Sequence, residues 1–122
     1  MMRAIVHELQ LQKNYFQNSN SSILQTIYFG GGTPSLLDTE EISLIFKTIK
    51  DNFSLSSDPE ITIECNPEDL TIEKLTHLKQ LGINRLSIGI QTFNNDILSF
   101  MNRAHDASQA IEAVKNAQKL GF

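Results

Sequence analysis

The chain has 122 residues, 40% of them apolar and 20% charged, which suits one folded domain with its own core but is short for a complete α/β barrel. A formal charge of −4 without a basic cluster argues against nucleic acid as the main partner. No apolar run approaches the roughly 18 residues needed to span a bilayer. Residues 1–16 mix His7, Glu8 and Lys13 among the apolar positions, unlike a signal peptide. Cys65 is the only cysteine, which excludes an internal disulfide and points to a reducing, cytoplasmic setting.

In chain order, Met2, Ile5, Leu9 and Phe16 share a helical face, so residues 2–16 read as a helix, and Asn18 to Ser22 as a polar break. Residues 23–29 read as a strand running into Gly30-Gly31-Gly32-Thr33-Pro34. Three glycines permit positive φ and bring main-chain N–H groups close to a ligand, while Pro34 holds Thr33 extended. The triplet is neither a spaced GxGxxG nor a P-loop. Asp38 and Glu41 form a capping box for a helix carrying Ile42, Ile45, Phe46, Ile49 and Phe53. Ser54 to Pro59 reads as a loop and Glu60 to Cys65 as the second strand, ended by Asn66-Pro67.

A third unit follows. Thr71 caps a helix with Ile72, Leu75, Leu78 and Leu81, stopped by Gly82 in the left-handed position. Arg85 to Ile90 is the third strand, and Asn94 or Asn95 opens a short helix through about Met101. Asp106 and Gln109 box the last helix, whose inward positions are Ala110, Ile111, Val114, Ala117 and Leu120. Alternating strands and helices call for a parallel sheet with right-handed crossovers. Leu120-Gly121-Phe122 repeats Leu81-Gly82-Ile83, which precedes a strand, so the chain is expected to be a piece of a longer protein.

Side chains alternate across a strand, giving two faces. One holds Ile27, Phe29, Ile61, Ile63, Leu86, Ile88 and Ile90 and suits packing under helices. The other holds Thr26, Tyr28, Gly30, Thr62, Glu64, Ser87, Gly89 and Gln91. It is small and polar, with its functional groups at the C-terminal strand ends, where α/β folds bind ligands. Plainer roles stay open: Glu64 as a salt-bridged strand end, Gln91 as a loop cap, Cys65 as a buried inert thiol, Arg103 as the partner of Asp106. His7 and His77 have no second ligand nearby in sequence for a metal.

Taken together, Tyr28-Phe29-Gly30-Gly31-Gly32-Thr33-Pro34-Ser35, Glu64-Cys65-Asn66-Pro67-Glu68, Asn84 to Phe93 and Asn102-Arg103-Ala104-His105 closely resemble the radical S-adenosylmethionine proteins of the oxygen-independent coproporphyrinogen III oxidase group, most of all its HemW-type haem chaperone branch. The resemblance covers nearly the whole chain. It implies an α/β fold, a partial (β/α) barrel of about three consecutive β/α units from a six-strand barrel. Residues 1–122 would be a single truncated domain, the central portion of the radical SAM core.

It further implies S-adenosylmethionine as cofactor, with Gly31, Gly32 and Thr33 at its methionine end, Glu64 and Gln91 at its ribose and Arg103 at its carboxylate. A [4Fe–4S] cluster and haem are implied for the full-length parent, and haem-accepting proteins as its partners; the alternative is the oxidase, which decarboxylates coproporphyrinogen III. The family's Cys-x-x-x-Cys-x-x-Cys loop is not in this sequence. One thiol cannot hold such a cluster. The expectations are therefore inactivity of this chain by itself, self-association through open sheet edges, and a cysteine motif encoded upstream of Met1.

Overall fold

The structure is a computed structural model and describes residues 1–16 and 23–122. Helix α1 spans Met2–Leu11 and runs into a 3-10 turn at Gln12–Asn14, so the helix expected over residues 2–16 is α-helical only in its first part. The polar break expected at Asn18 to Ser22 lies outside the described residues. Strand β1 is Ile23–Phe29, as its apolar alternation requires. Helix α2, Thr39–Asn52, starts at the Asp38/Glu41 capping box, with Asp38 Oδ1 accepting from Glu41 N at 2.7 Å. Phe53 falls outside it, extended, at its C-cap.

Strand β2 runs from Ser54 to Cys65, so the segment Ser54 to Pro59 is strand and not loop. Its turn-forming residues are accommodated by an irregularity: β1 advances from Leu24 to Thr26 while β2 advances from Leu55 to Glu60. Such a bulge tolerates Pro59, which has no N–H for a ladder. Asn84 bridges the irregular region, donating to Pro59 O at 2.9 Å and accepting from Ile61 N at 2.8 Å.

Helix α3, Ile72–Leu81, has Thr71 as its N-cap and Gly82 at φ 98° as its left-handed stop. Strand β3 is Arg85–Ile88, two residues shorter than expected. Its last partner is the end of β2, Cys65 opposite Ile88, and beyond that the chain turns. Helices α4, Asn95–Phe100, and α5, Ala107–Lys119, complete the order. Asn94 caps α4, and the Asp106/Gln109 box caps α5. On α5 the inward set is Ala110, Ala113 and Ala117, while Ile111 is exposed. Alanines let α5 approach the 3-10 turn Pro67–Asp69 and α3 closely; the periodicity alone favoured the bulkier Ile111.

All three strands are parallel, in the order β1-β2-β3. Phe29, Ile61, Ile63 and Cys65 join Ile42, Ile45, Phe46 and Ile49 of α2 and Leu75 and Leu78 of α3 in one core. On the opposite face Tyr28 and Ser87 are exposed, Glu64 is half-buried and Thr62 is buried. No helix among the described residues is long and apolar enough to cross a membrane. The sheet thus presents helices on one side and a polar floor on the other.

Candidate functional site

The C-terminal ends of the strands converge on a cleft of about 210 Å³, whose walls include Gly32, Thr33, Glu64, Asn66, Ser87 and Gly89. Its first wall is the glycine turn. Gly31 and Gly32 sit at φ 88° and 68°, a conformation L-residues rarely adopt, with open space where a side chain would go. Gly30 has the opposite requirement: a Cβ there would lie 2.7 Å from Tyr28 Cε1. Pro34 opens a 3-10 turn, and the buried Ser35 beside it donates to Asp69 Oδ2 at 2.7 Å.

Glu64 ends β2 on the polar side. Its Oε1 accepts from Tyr28 Oη at 2.8 Å and its Oε2 from Gly31 N at 3.1 Å. A carboxylate has about four lone-pair sites, so roughly half remain for a ligand. No lysine or arginine pairs with Glu64 among the described ion pairs, so the salt-bridge reading of this residue does not hold. Cys65, pointing the other way, is buried, and desolvation, with Asp69 next, pushes its thiol up to about 12. A thiol held protonated in this way is a poor metal ligand.

Gln91 comes beside Gly89, one wall of the cleft, by a route the alternation of a strand does not predict. It lies beyond β3 in the left-handed region, φ 65°, so it is not part of the inward row of strand side chains. Its Nε2 nevertheless comes within 3.2 Å of where a Cβ on Gly89 would be, and Arg103 Nη2 and Asn66 Oδ1 come within 3.5 Å of the same point. Arg103 does not pair with Asp106. Its Nη2 donates to Asn66 Oδ1 at 2.8 Å and to Gly89 O at 3.1 Å, while its Nε is buried without an acceptor among the described residues. An orphaned guanidinium N–H beside a polar cleft fits an anionic ligand group.

Two further residues take part: Asn66 was not singled out, and His105 was expected beside Arg103 in a surface loop salt-bridged to Asp106. Asn66, read only as a strand end, is the side chain that holds Arg103. His105 is fully buried as a side chain, with Nδ1 3.0 Å from Glu68 Oε2 and Nε2 3.2 Å from Ile90 O. A carbonyl only accepts, so the ring presents its Nε2–H to Ile90 O and its Nδ1 to the Glu68 carboxylate. This clasp ties the turn after β2 to the segment after β3. The signal for it was a charged residue directly after Asn66-Pro67 and a histidine two residues beyond Arg103.

Residues 13–122 match the family model of the radical SAM superfamily. The chain belongs to the radical SAM superfamily. Among its curated radical SAM relatives, the heme chaperone HemW of Buchnera aphidicola (from Schizaphis graminum) is 42% identical over 80% of this chain and 26% of its own length. The oxygen-independent coproporphyrinogen III oxidase of Escherichia coli is 36% identical over 79% of this chain and 21% of its own. The solved structure of the latter organism's coproporphyrinogen III oxidase, described as a radical SAM enzyme, matches with a TM-score of 0.87 at 32% identity, over 98% of this chain and 27% of that one. The chain therefore spans about a quarter of the length of these relatives.

The radical SAM family uses S-adenosylmethionine and an iron–sulfur cluster, and the two fit these residues differently. The polar cleft, the positive-φ glycines and the orphaned Arg103 N–H suit a zwitterionic nucleoside ligand. Its volume is below the ~300 Å³ at which pockets begin to enclose such molecules, as three strands of an open sheet would give. The cluster does not fit: the sequence has one cysteine, it is buried, and no group of candidate metal ligands occurs among the described residues. No step through a cluster is derived for these residues.

Proposed function

We propose that this chain is the central portion of a radical SAM core and forms the S-adenosylmethionine-recognising rim of a haem chaperone that binds haem and delivers it to haem-requiring proteins. The observation that supports the reading is one polar cleft lined by Gly32, Thr33, Glu64 and Gly89, with Gly31 N bonded to Glu64 and the Gln91 and Arg103 side chains beside Gly89, in a chain 42% identical to a heme chaperone HemW. In this reading the glycine turn and Thr33 take the methionine end through backbone groups. Glu64 accepts from the ribose hydroxyls with its free lone pairs, and Gln91 lies along the ribose. Arg103 supplies N–H donors to the ligand carboxylate, a pairing its planar fork favours. Bound S-adenosylmethionine supplies radical chemistry in this family; the residues here contribute recognition and orientation to it.

A second reading, a coproporphyrinogen III oxidase, is favoured by the superposition on the solved oxidase. The polypeptide as its gene encodes it, prepared anaerobically, separates the two. Offered haem, it is expected to give a shifted Soret band and to pass the haem to an apo-haem protein. Offered coproporphyrinogen III with S-adenosylmethionine and reductant, it is expected to release no carbon dioxide. Decarboxylation without haem transfer would replace the first reading by the second.

The outer edges of β1 and β3 have no partner strand among the described residues, and unpaired edges invite pairing with another chain. We accordingly propose that the 122-residue chain self-associates. Light scattering across a dilution series checks this, and a concentration-independent monomer would rule it out.

A further inference from the structure

Tyr28 lies on the open face of β1 opposite Thr62, two residues short of the level of Glu64, and is 59% exposed. A phenol so placed could donate to water, yet its hydroxyl reaches along the sheet to Glu64 Oε1 at 2.8 Å. The path is open only because residue 30 is glycine, since a Cβ there would meet the Tyr28 ring at 2.7 Å and the Glu64 carboxyl carbon at 3.4 Å. Tyrosine at 28 and glycine at 30 are thus coupled choices. The other carboxylate oxygen is held by Gly31 N at 3.1 Å, from a residue in the left-handed region. The terminal torsion of a glutamate is otherwise broad. Donors on both oxygens fix the carboxylate plane and leave its remaining lone pairs directed outward as a pair of acceptors.

We propose that Tyr28 is a positioning residue that, through the space left by Gly30, pre-orients the Glu64 carboxylate for a vicinal diol. The inference rests on the reading of Glu64 as the ribose acceptor and adds the residue that aims it. Holding the side chain before the ligand arrives removes an ordering cost, which is worth roughly 3- to 10-fold in affinity.

The sequence contains two tyrosines and no tryptophan, so a Tyr15→Phe chain has Tyr28 as its lone tyrosine emitter. In that background Glu64→Gln is expected to raise the emission, because a carboxylate acceptor quenches an excited phenol more than an amide does. Affinity for S-adenosylmethionine is then measured in the polypeptide as its gene encodes it, loaded anaerobically with iron and sulfide. Tyr28→Phe is expected to weaken binding about 3- to 10-fold with Glu64 in place and not at all in a Glu64→Ala background.

Emission indifferent to Glu64 would overturn the proposal. So would an equal loss in both backgrounds, which would make Tyr28 a direct ligand contact. A loss with Glu64→Ala but none with Tyr28→Phe would leave the ribose reading standing and remove the positioning role. No loss from either substitution would remove both.

Discussion

Glu64→Ala is expected to weaken S-adenosylmethionine binding by about 10- to 150-fold, the equivalent of roughly 1.5–3 kcal/mol for a lost hydrogen bond to a charged acceptor. The residue sits half-buried at the end of β2, and its hydrogen bonds from Tyr28 Oη and Gly31 N–H are solvent-exposed, so water can replace it there. Its removal therefore acts on the ligand more than on the fold. Glu64→Gln should lose less, because the amide oxygen still accepts. Calorimetric titration of the anaerobically reconstituted polypeptide reads both. Unchanged affinity in Glu64→Ala, with the fold intact by circular dichroism, would remove Glu64 from the site.

The second large effect concerns the clasp. His105→Ala is expected to destabilise the fold by about 3–5 kcal/mol, the cost of emptying a fully buried aromatic site together with its two hydrogen bonds. The side chain is fully buried, whereas Glu68 retains 26% exposure, so the histidine is the side whose loss hurts more. Glu68→Ala leaves Nδ1 without a partner and should cost about 1–3 kcal/mol. Glu68→Gln should cost less than Glu68→Ala, since its amide N–H can donate to Nδ1 of a neutral ring while Nε2–H keeps Ile90 O. Urea midpoints at constant m-value measure all three. Equal stabilities for Glu68→Ala and Glu68→Gln would mean that the pair is no clasp. Stability is a large part of what a domain of this size has to lose.

The sequence disclosed most of what is local. Both capping boxes, the Thr71 cap and the Gly82 stop depend on residues within a turn of one another, and all are in place. The two faces of the sheet were readable because side chains alternate with a period of two, although on β2 Thr62 is as buried as Ile61 and Ile63 on the other face. What was not readable depends on a neighbour. Ser54 to Pro59 has the composition of a loop, yet it is strand that starts paired with β1 at Ser54 and Leu55 and rejoins it at Glu60. Gln91 leaves the strand pattern because β2 ends opposite Ile88, a fact about β2. Ile111 faces solvent because the turn at Pro67 lies too near α5 for a large side chain. For the rim, strand alternation suggested Glu64 and Gln91 and the family resemblance suggested Arg103, while Asn66 and the His105–Glu68 clasp join loops that no spacing rule connects.

Those joins share a regularity. Tyr28 and Glu64 are 36 residues apart, Ser35 and Asp69 34, Asn66 and Arg103 37, and Glu68 and His105 also 37. Each ties one β/α unit to the next, and no tie skips a unit. Loop closure depends only logarithmically on length, so the entropy opposing each tie is nearly the same. The rim can therefore assemble in the order of synthesis, each pair closing once its second member has emerged, with no late long-range step holding back the earlier ones.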